Sequence, residues 1–74
     1  MGGDDKEWVR VAHSATGLTT VTVSLLEDNL SVRWSVKTYP SALKSGIAEA
    51  RKYARKAMVD LREALAALDA EAAA

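Results

Sequence analysis

The chain has 74 residues, and 14 of its hydrophobic residues are alanine, so the larger apolar side chains suffice for one modest core and no second domain. There is no cysteine, which excludes disulfides and thiolate metal sites, and ten basic and ten acidic residues cancel, so net charge does not indicate a polyanionic partner. The apolar runs are too short for a signal peptide or a membrane span, and we expect a cytoplasmic protein with no membrane attachment.

The sequence predicts a short tail followed by one domain. Residues 1–7 offer nothing to bury and are predicted to form a disordered N-terminal tail, so residues 8–74 form the domain. Up to Thr38 the chain alternates polar residues with Val, Trp and Leu, as strands do, and from Ser41 it is rich in Ala, Leu, Lys, Arg and Glu. We therefore predict an α+β fold, a three-stranded antiparallel meander (β1-β2-β3) followed by one long C-terminal amphipathic helix packed on one sheet face.

The first hairpin is predicted to have a three-residue loop at positions 15–17. This loop sets Val11 opposite Val21 and Val9 opposite Val23, whereas a two-residue loop would mix apolar and polar faces. It also puts Gly17 where such loops need a positive φ.

The second hairpin is predicted to turn at Asp28-Asn29, two residues that tolerate positive φ. This turn produces three apolar cross-strand pairs, Leu25 with Val32, Val23 with Trp34 and Val21 with Val36. Because Trp34 alternates with Val32 and Val36, we predict that it lies in the core.

After strand three, Tyr39-Pro40 ends the extended run and Ser41 is the predicted N-cap, give or take one residue. The helix then carries an apolar stripe at spacings of three and four, which predicts that one side packs on the sheet. The stripe consists of Leu43, Ile47, Ala50, Ala54, Ala57, Leu61, Ala64 and Leu68, widened by Met58 and Leu65. Gly46, beside the stripe, indicates a close approach of the helix to the sheet.

The helix is predicted to be longer than its sheet. About 28 helical residues span roughly 42 Å, and strands of eight or nine residues span roughly 28 Å. We therefore predict a homodimer whose interface is formed by Met58, Leu61, Leu65 and Leu68. The alternative is a monomer in which the helix lies diagonally on a twisted sheet and its alanine-rich end frays.

Charge along the helix also favours a dimer. Residues 41–56 hold five bases and one acid, whereas residues 57–74 hold one base and four acids, which opposes the helix dipole. An antiparallel helix pair across a two-fold axis would place basic and acidic halves together, although pairs within the chain, such as Lys56 with Asp60, could explain part of the pattern.

The sheet face away from the helix is a candidate nucleic-acid or anion-binding face, formed by Trp8, Arg10, Arg33 and Lys37. An exposed aromatic among cations and hydroxyls suits stacking on a base and contact with phosphates. The alternatives are an ordinary solvated strand face or a protein interface that contains Trp8.

A second candidate surface is a basic stripe on one helix flank, formed by Lys44, Arg51, Arg55 and Arg62. This pattern fits a ridge that contacts phosphates, the flanking charges of a coiled coil, or a solvated helix of mixed charge.

Catalysis is not expected, because the chain has no cysteine and only one histidine, His13, at the end of a strand. We read His13 as an ordinary solvated side chain rather than as a base or a metal ligand. No nucleotide-binding motif occurs, and we expect no cofactor, metal or small-molecule substrate.

Three strands followed by a helix resemble the second half of the double-stranded-RNA-binding domain, and small antitoxins also pair such a sheet and helix. The resemblance is one of topology, since the preceding helix is missing and only Lys44 lies where that domain carries a lysine cluster. No residue role is carried over. The sequence favours a small non-catalytic homodimeric module that binds a partner protein, and the alternative is a nucleic-acid-binding protein that uses the face around Trp8.

Overall fold

The computed structural model describes residues 5–73, which form three strands and one long helix. The strands are β1 (Lys6–His13), β2 (Thr19–Glu27) and β3 (Leu30–Thr38), in a sheet of order β1-β2-β3. A short 3₁₀ turn, Pro40–Ala42, leads into the helix α1 (Leu43–Ala73). The predicted α+β meander with a C-terminal helix on one sheet face is confirmed.

Both predicted hairpin registers are confirmed. Val11 lies opposite Val21, and Val23 lies between Val9 on one side and Trp34 on the other. The turn residues adopt the backbone conformations that these registers need, with φ of 88° at Gly17, 51° at Asp28 and 68° at Asn29. Local turn chemistry and the alternation of apolar residues therefore specify the same sheet.

Strand β1 begins at Lys6, two residues earlier than predicted. Glu7 belongs to the strand because it pairs with Leu25 on β2 and its carboxylate binds arginines of α1. The predicted tail is thus too long by at least these two residues, and its first four residues lie outside the described part of the chain.

The helix begins at Leu43 rather than immediately after Ser41. Pro40 starts a 3₁₀ turn in which the Ala42 N–H donates to the Tyr39 carbonyl at 2.9 Å and the Leu43 N–H donates to the Pro40 carbonyl. No side chain caps this turn, so Ser41 is a turn residue rather than an N-cap, and the helix begins one residue later than a Ser41 cap would give, within the predicted range of one residue.

The core lies between α1 and the two strands β2 and β3. Its buried apolar residues are Val21, Val23, Leu25, Ala50, Ala54 and Met58. The alanines let the helix lie low on the sheet, and Gly46 permits the closest approach, since a Cβ there would lie 2.8 Å from Thr38 Cγ2. The close approach predicted at Gly46 is thus present, against the end of β3.

The helix extends well beyond the sheet. Its 31 residues span about 46 Å, whereas nine-residue strands span about 30 Å. Leu61 is the last helical residue that packs against the core, and residues 62–72 are exposed. We call residues 63–73 the overhang.

Candidate functional sites

The sheet face opposite α1, which we call the open face, brings together most of the residues predicted for it. Trp8, Ser24 and Arg33 form one row across the three strands, and Arg10, Thr22 and Ser35 form the next. These six residues line a hollow of about 330 Å³. Trp8 is half exposed, and the Thr22 and Ser35 hydroxyls share a hydrogen bond of 2.9 Å.

Lys37 lies on the same face one row further on, opposite Thr20, and does not line the hollow. Each strand residue whose side chain points to the open face is basic, hydroxylic or apolar. They are Lys6, Trp8, Arg10, Ala12, Thr20, Thr22, Ser24, Leu26, Ser31, Arg33, Ser35 and Lys37. The strands therefore place no acidic side chain on the open face.

Three of the four residues of the predicted helix stripe form ion pairs within the chain. Arg51 Nε lies 3.1 Å from Glu7 Oε2, and Arg55 Nη2 lies 3.2 Å from Glu7 Oε1. Arg62 Nη2 lies 2.6 Å from Glu27 Oε1 and 3.2 Å from Asp28 Oδ2. Acids of the sheet thus partly neutralise this flank.

These pairs weigh against a ridge that contacts phosphates, because such a ridge would need these arginines free of carboxylates. Lys44 is exposed at the start of the helix and has no ion pair among the described residues. The three arginines of the stripe are better described as contacts that hold α1 against β1 and against the β2–β3 turn.

The four residues predicted for the dimer interface lie in different environments. Met58 is buried in the core of its own chain, so its inclusion among the interface residues is wrong. It is buried because the sheet reaches as far as Leu61, which also packs partly on the core. Leu65 and Leu68 lie beyond the sheet and are 36% and 59% exposed.

Trp34 points to the helix side of the sheet but is 39% exposed, so the prediction that it lies in the core is wrong. Strand β3 is an edge strand, and α1 covers only part of this ring. Tyr53 stacks on the ring, with centroids 5.5 Å apart and planes inclined by 23°. With Lys56, Ala57 and Asp60, the two rings line a hollow of about 220 Å³, which sequence periodicity could not reveal.

The helix also leaves part of β1 uncovered. Val9 and Val11 point to the helix side but are more than one-third exposed, because α1 packs on β2 and β3. At the end of the strand, His13 Nδ1 and Thr19 Oγ1 form a hydrogen bond of 2.9 Å. Thr19 is fully buried, so this bond gives the histidine a structural role at the edge of the core.

Within residues 5–73, no three or more His, Asp or Glu residues are arranged to hold a metal ion. No helix in this range has a stretch long and apolar enough to cross a membrane. Comparisons with known proteins return no match, whether made against family models, curated proteins or solved structures. Function has therefore to be inferred from the geometry of the chain itself.

Proposed function

We propose that the protein is a small non-catalytic interaction module that works as a homodimer, in which the overhang of α1 packs against the overhang of a second copy. The observation that carries this proposal is the position of Leu65 and Leu68. They continue the stripe that packs on the sheet, but they lie past the last residue that the sheet covers. A leucine stripe in water is costly and is typical of an interface.

A second copy fits this surface because of the distances between layers. The sheet does not extend beneath the overhang. This leaves a step, a space one layer deep, and packed layers lie roughly 10 Å apart. Helices pack at 8–10 Å, so another helix can occupy the level of the missing sheet. In an antiparallel pair each overhang fills the step of the other, and Leu61, Leu65 and Leu68 of both copies meet. One two-fold axis generates both contacts.

The charges of the overhang favour the antiparallel arrangement. Residues 63–73 contain the acids Glu63, Asp69 and Glu71 and no base. Asp69 follows Arg62 by seven positions and so lies on the same helix flank. An antiparallel pair brings the same flanks of the two helices together and so places Asp69 of each copy near Arg62 of the other, which also pairs with Glu27 and Asp28 of its own chain. A parallel pair would instead place the two acidic segments side by side. The acidic residues of the overhang are therefore compatible with a second copy in the antiparallel orientation.

The experiment is a comparison of Leu65→Lys/Leu68→Lys with Val59→Lys by light scattering coupled to size exclusion. Val59 is 53% exposed and lies on the opposite side of the helix from the leucine stripe, so its replacement is a matched control. We expect the double variant to be monomeric with an unchanged circular dichroism spectrum, and the control to stay dimeric. A double variant that remains dimeric would exclude the overhang as the interface.

Binding of a further protein by this dimer stays a prediction, as does a cytoplasmic location. The stacked rings of Trp34 and Tyr53 support such binding, because partly exposed aromatic residues are typical of protein interfaces. They lie on the β3 side of the helix, away from the leucine stripe, and stay accessible in the proposed dimer.

A further inference from the structure

The structure separates charges that cancel in the sequence. The carboxylates of Glu7, Glu27 and Asp28 engage arginines of α1 and so belong to the helix side of the sheet. On the opposite side, Arg10 and Arg33 have no ion pair among the described residues. A chain with zero formal net charge therefore has one locally basic face.

The hollow on this face combines a ring with two cations at fixed spacings. Trp8 and Arg33 stand in the same row, separated by Ser24 on β2, so their backbones are about 10 Å apart. Arg10 is two residues from Trp8 on the same side of β1, about 7 Å along the strand. Hydroxyls of Thr22, Ser24 and Ser35 form the floor between them.

We infer that the open face is a binding site for single-stranded nucleic acid, in which Trp8 stacks on an unpaired base and Arg10 and Arg33 contact the flanking phosphates. An exposed indole ring stacks on any base whose face is accessible, and bases are accessible in single strands rather than in duplexes. The hydroxyls on the floor can donate to or accept from base edges and sugars. This site needs only one chain, so it is independent of the proposed dimer.

The test uses the full chain and fluorescein-labelled oligouridylate, oligothymidylate and a duplex, with binding followed by anisotropy at low salt. The variants are Trp8→Ala, Trp8→Phe and Arg10→Gln/Arg33→Gln. The control, Lys44→Gln/Lys52→Gln, removes the same charge from exposed positions on the helix. In a Trp34→Phe background, Trp8 is the only tryptophan, and its emission reports directly on stacking.

We expect both single strands to bind better than the duplex, with quenching of Trp8 emission. Trp8→Ala should weaken binding about tenfold, and Trp8→Phe should recover part of it. Arg10→Gln/Arg33→Gln should weaken binding and reduce the salt slope by about 1.4, since each phosphate contact in a single strand contributes about 0.7. The control should bind as the natural sequence does. Absence of single-strand binding, preference for the duplex, or an equal loss in the control would overturn the inference and leave this face as a protein interface or a solvated surface.

Discussion

Arg62 Nη2 and Glu27 Oε1 lie 2.6 Å apart, and this pair marks the place where the helix leaves its own sheet. Glu27 is the last residue of β2, so the helix beyond Arg62 has no strand beneath it. The leucines that follow are therefore exposed, and they are the basis of the proposed dimer.

The ion pair between Arg62 and Glu27 should contribute little to the stability of the fold. Both side chains are partly exposed, and pairs of this kind typically contribute about 0.2–1 kcal/mol. A double-mutant cycle of Arg62→Ala and Glu27→Gln in urea unfolding should give a coupling free energy in that range, decreasing with salt. Asp28→Asn should couple less strongly with Arg62→Ala, because Asp28 is more exposed. A coupling several times larger would mean that this pair determines the position of the helix.

Gly46→Ala should destabilise the fold, although alanine is the better helix former. The new Cβ would lie 2.8 Å from Thr38 Cγ2 and 3.1 Å from Thr38 Cβ, so either the helix or the Thr38 side chain has to shift. Overpacking of this kind costs about 1–3 kcal/mol and the better helix propensity of alanine returns about 1 kcal/mol, so we expect a net loss of up to about 2 kcal/mol in the free energy of unfolding. Ser45→Ala, at the exposed neighbouring position, is the control and should be neutral or slightly stabilising. A stabilised Gly46→Ala variant would contradict the close contact.

Trp34 should contribute more than Trp8 to the free energy of unfolding. Trp34→Ala removes the stack on Tyr53 and should lower the free energy of unfolding by at least the 0.5–1.5 kcal/mol or so that an aromatic pair contributes beyond its buried area. Trp8→Ala should change it by less than about 0.5 kcal/mol, as surface substitutions do. Thermal or urea unfolding checks both. A large loss at Trp8 would assign that residue to the fold rather than to binding.

The proposed interface can also be tested by cross-linking, because the natural chain has no cysteine. A single cysteine at Leu65 lies close to the two-fold axis of the antiparallel pair, so a short bismaleimide should join two copies efficiently. A cysteine at Val59, on the outer side of the helix, should not cross-link. Equal cross-linking at the two positions would indicate random collision rather than the proposed interface.

Much of the fold follows from local sequence signals. The register around Val23 is determined by the alternation of apolar residues together with the turns at Gly17 and at Asp28-Asn29. Gly46 likewise indicates where the helix approaches the sheet. The register is well specified because a slip by one residue would turn each strand's apolar side chains toward water. The signals that specify it lie within a few residues of each turn.

The lateral position of the helix could not be predicted in this way. An amphipathic stripe specifies which side of the helix is apolar, but it does not specify which strands that side covers. Because α1 packs on β2 and β3, Trp34 is partly exposed at one edge, and Glu7 on β1 meets Arg51 and Arg55. The same placement puts Met58 in the core and leaves Leu65 and Leu68 for the overhang.

The measurement that tests the dimer most directly is the mass of the natural chain in solution over a wide range of concentrations, by light scattering or sedimentation equilibrium. We predict twice the mass of the chain at high concentration and reversible dissociation on dilution. The mass of a single chain at every concentration would contradict the proposal.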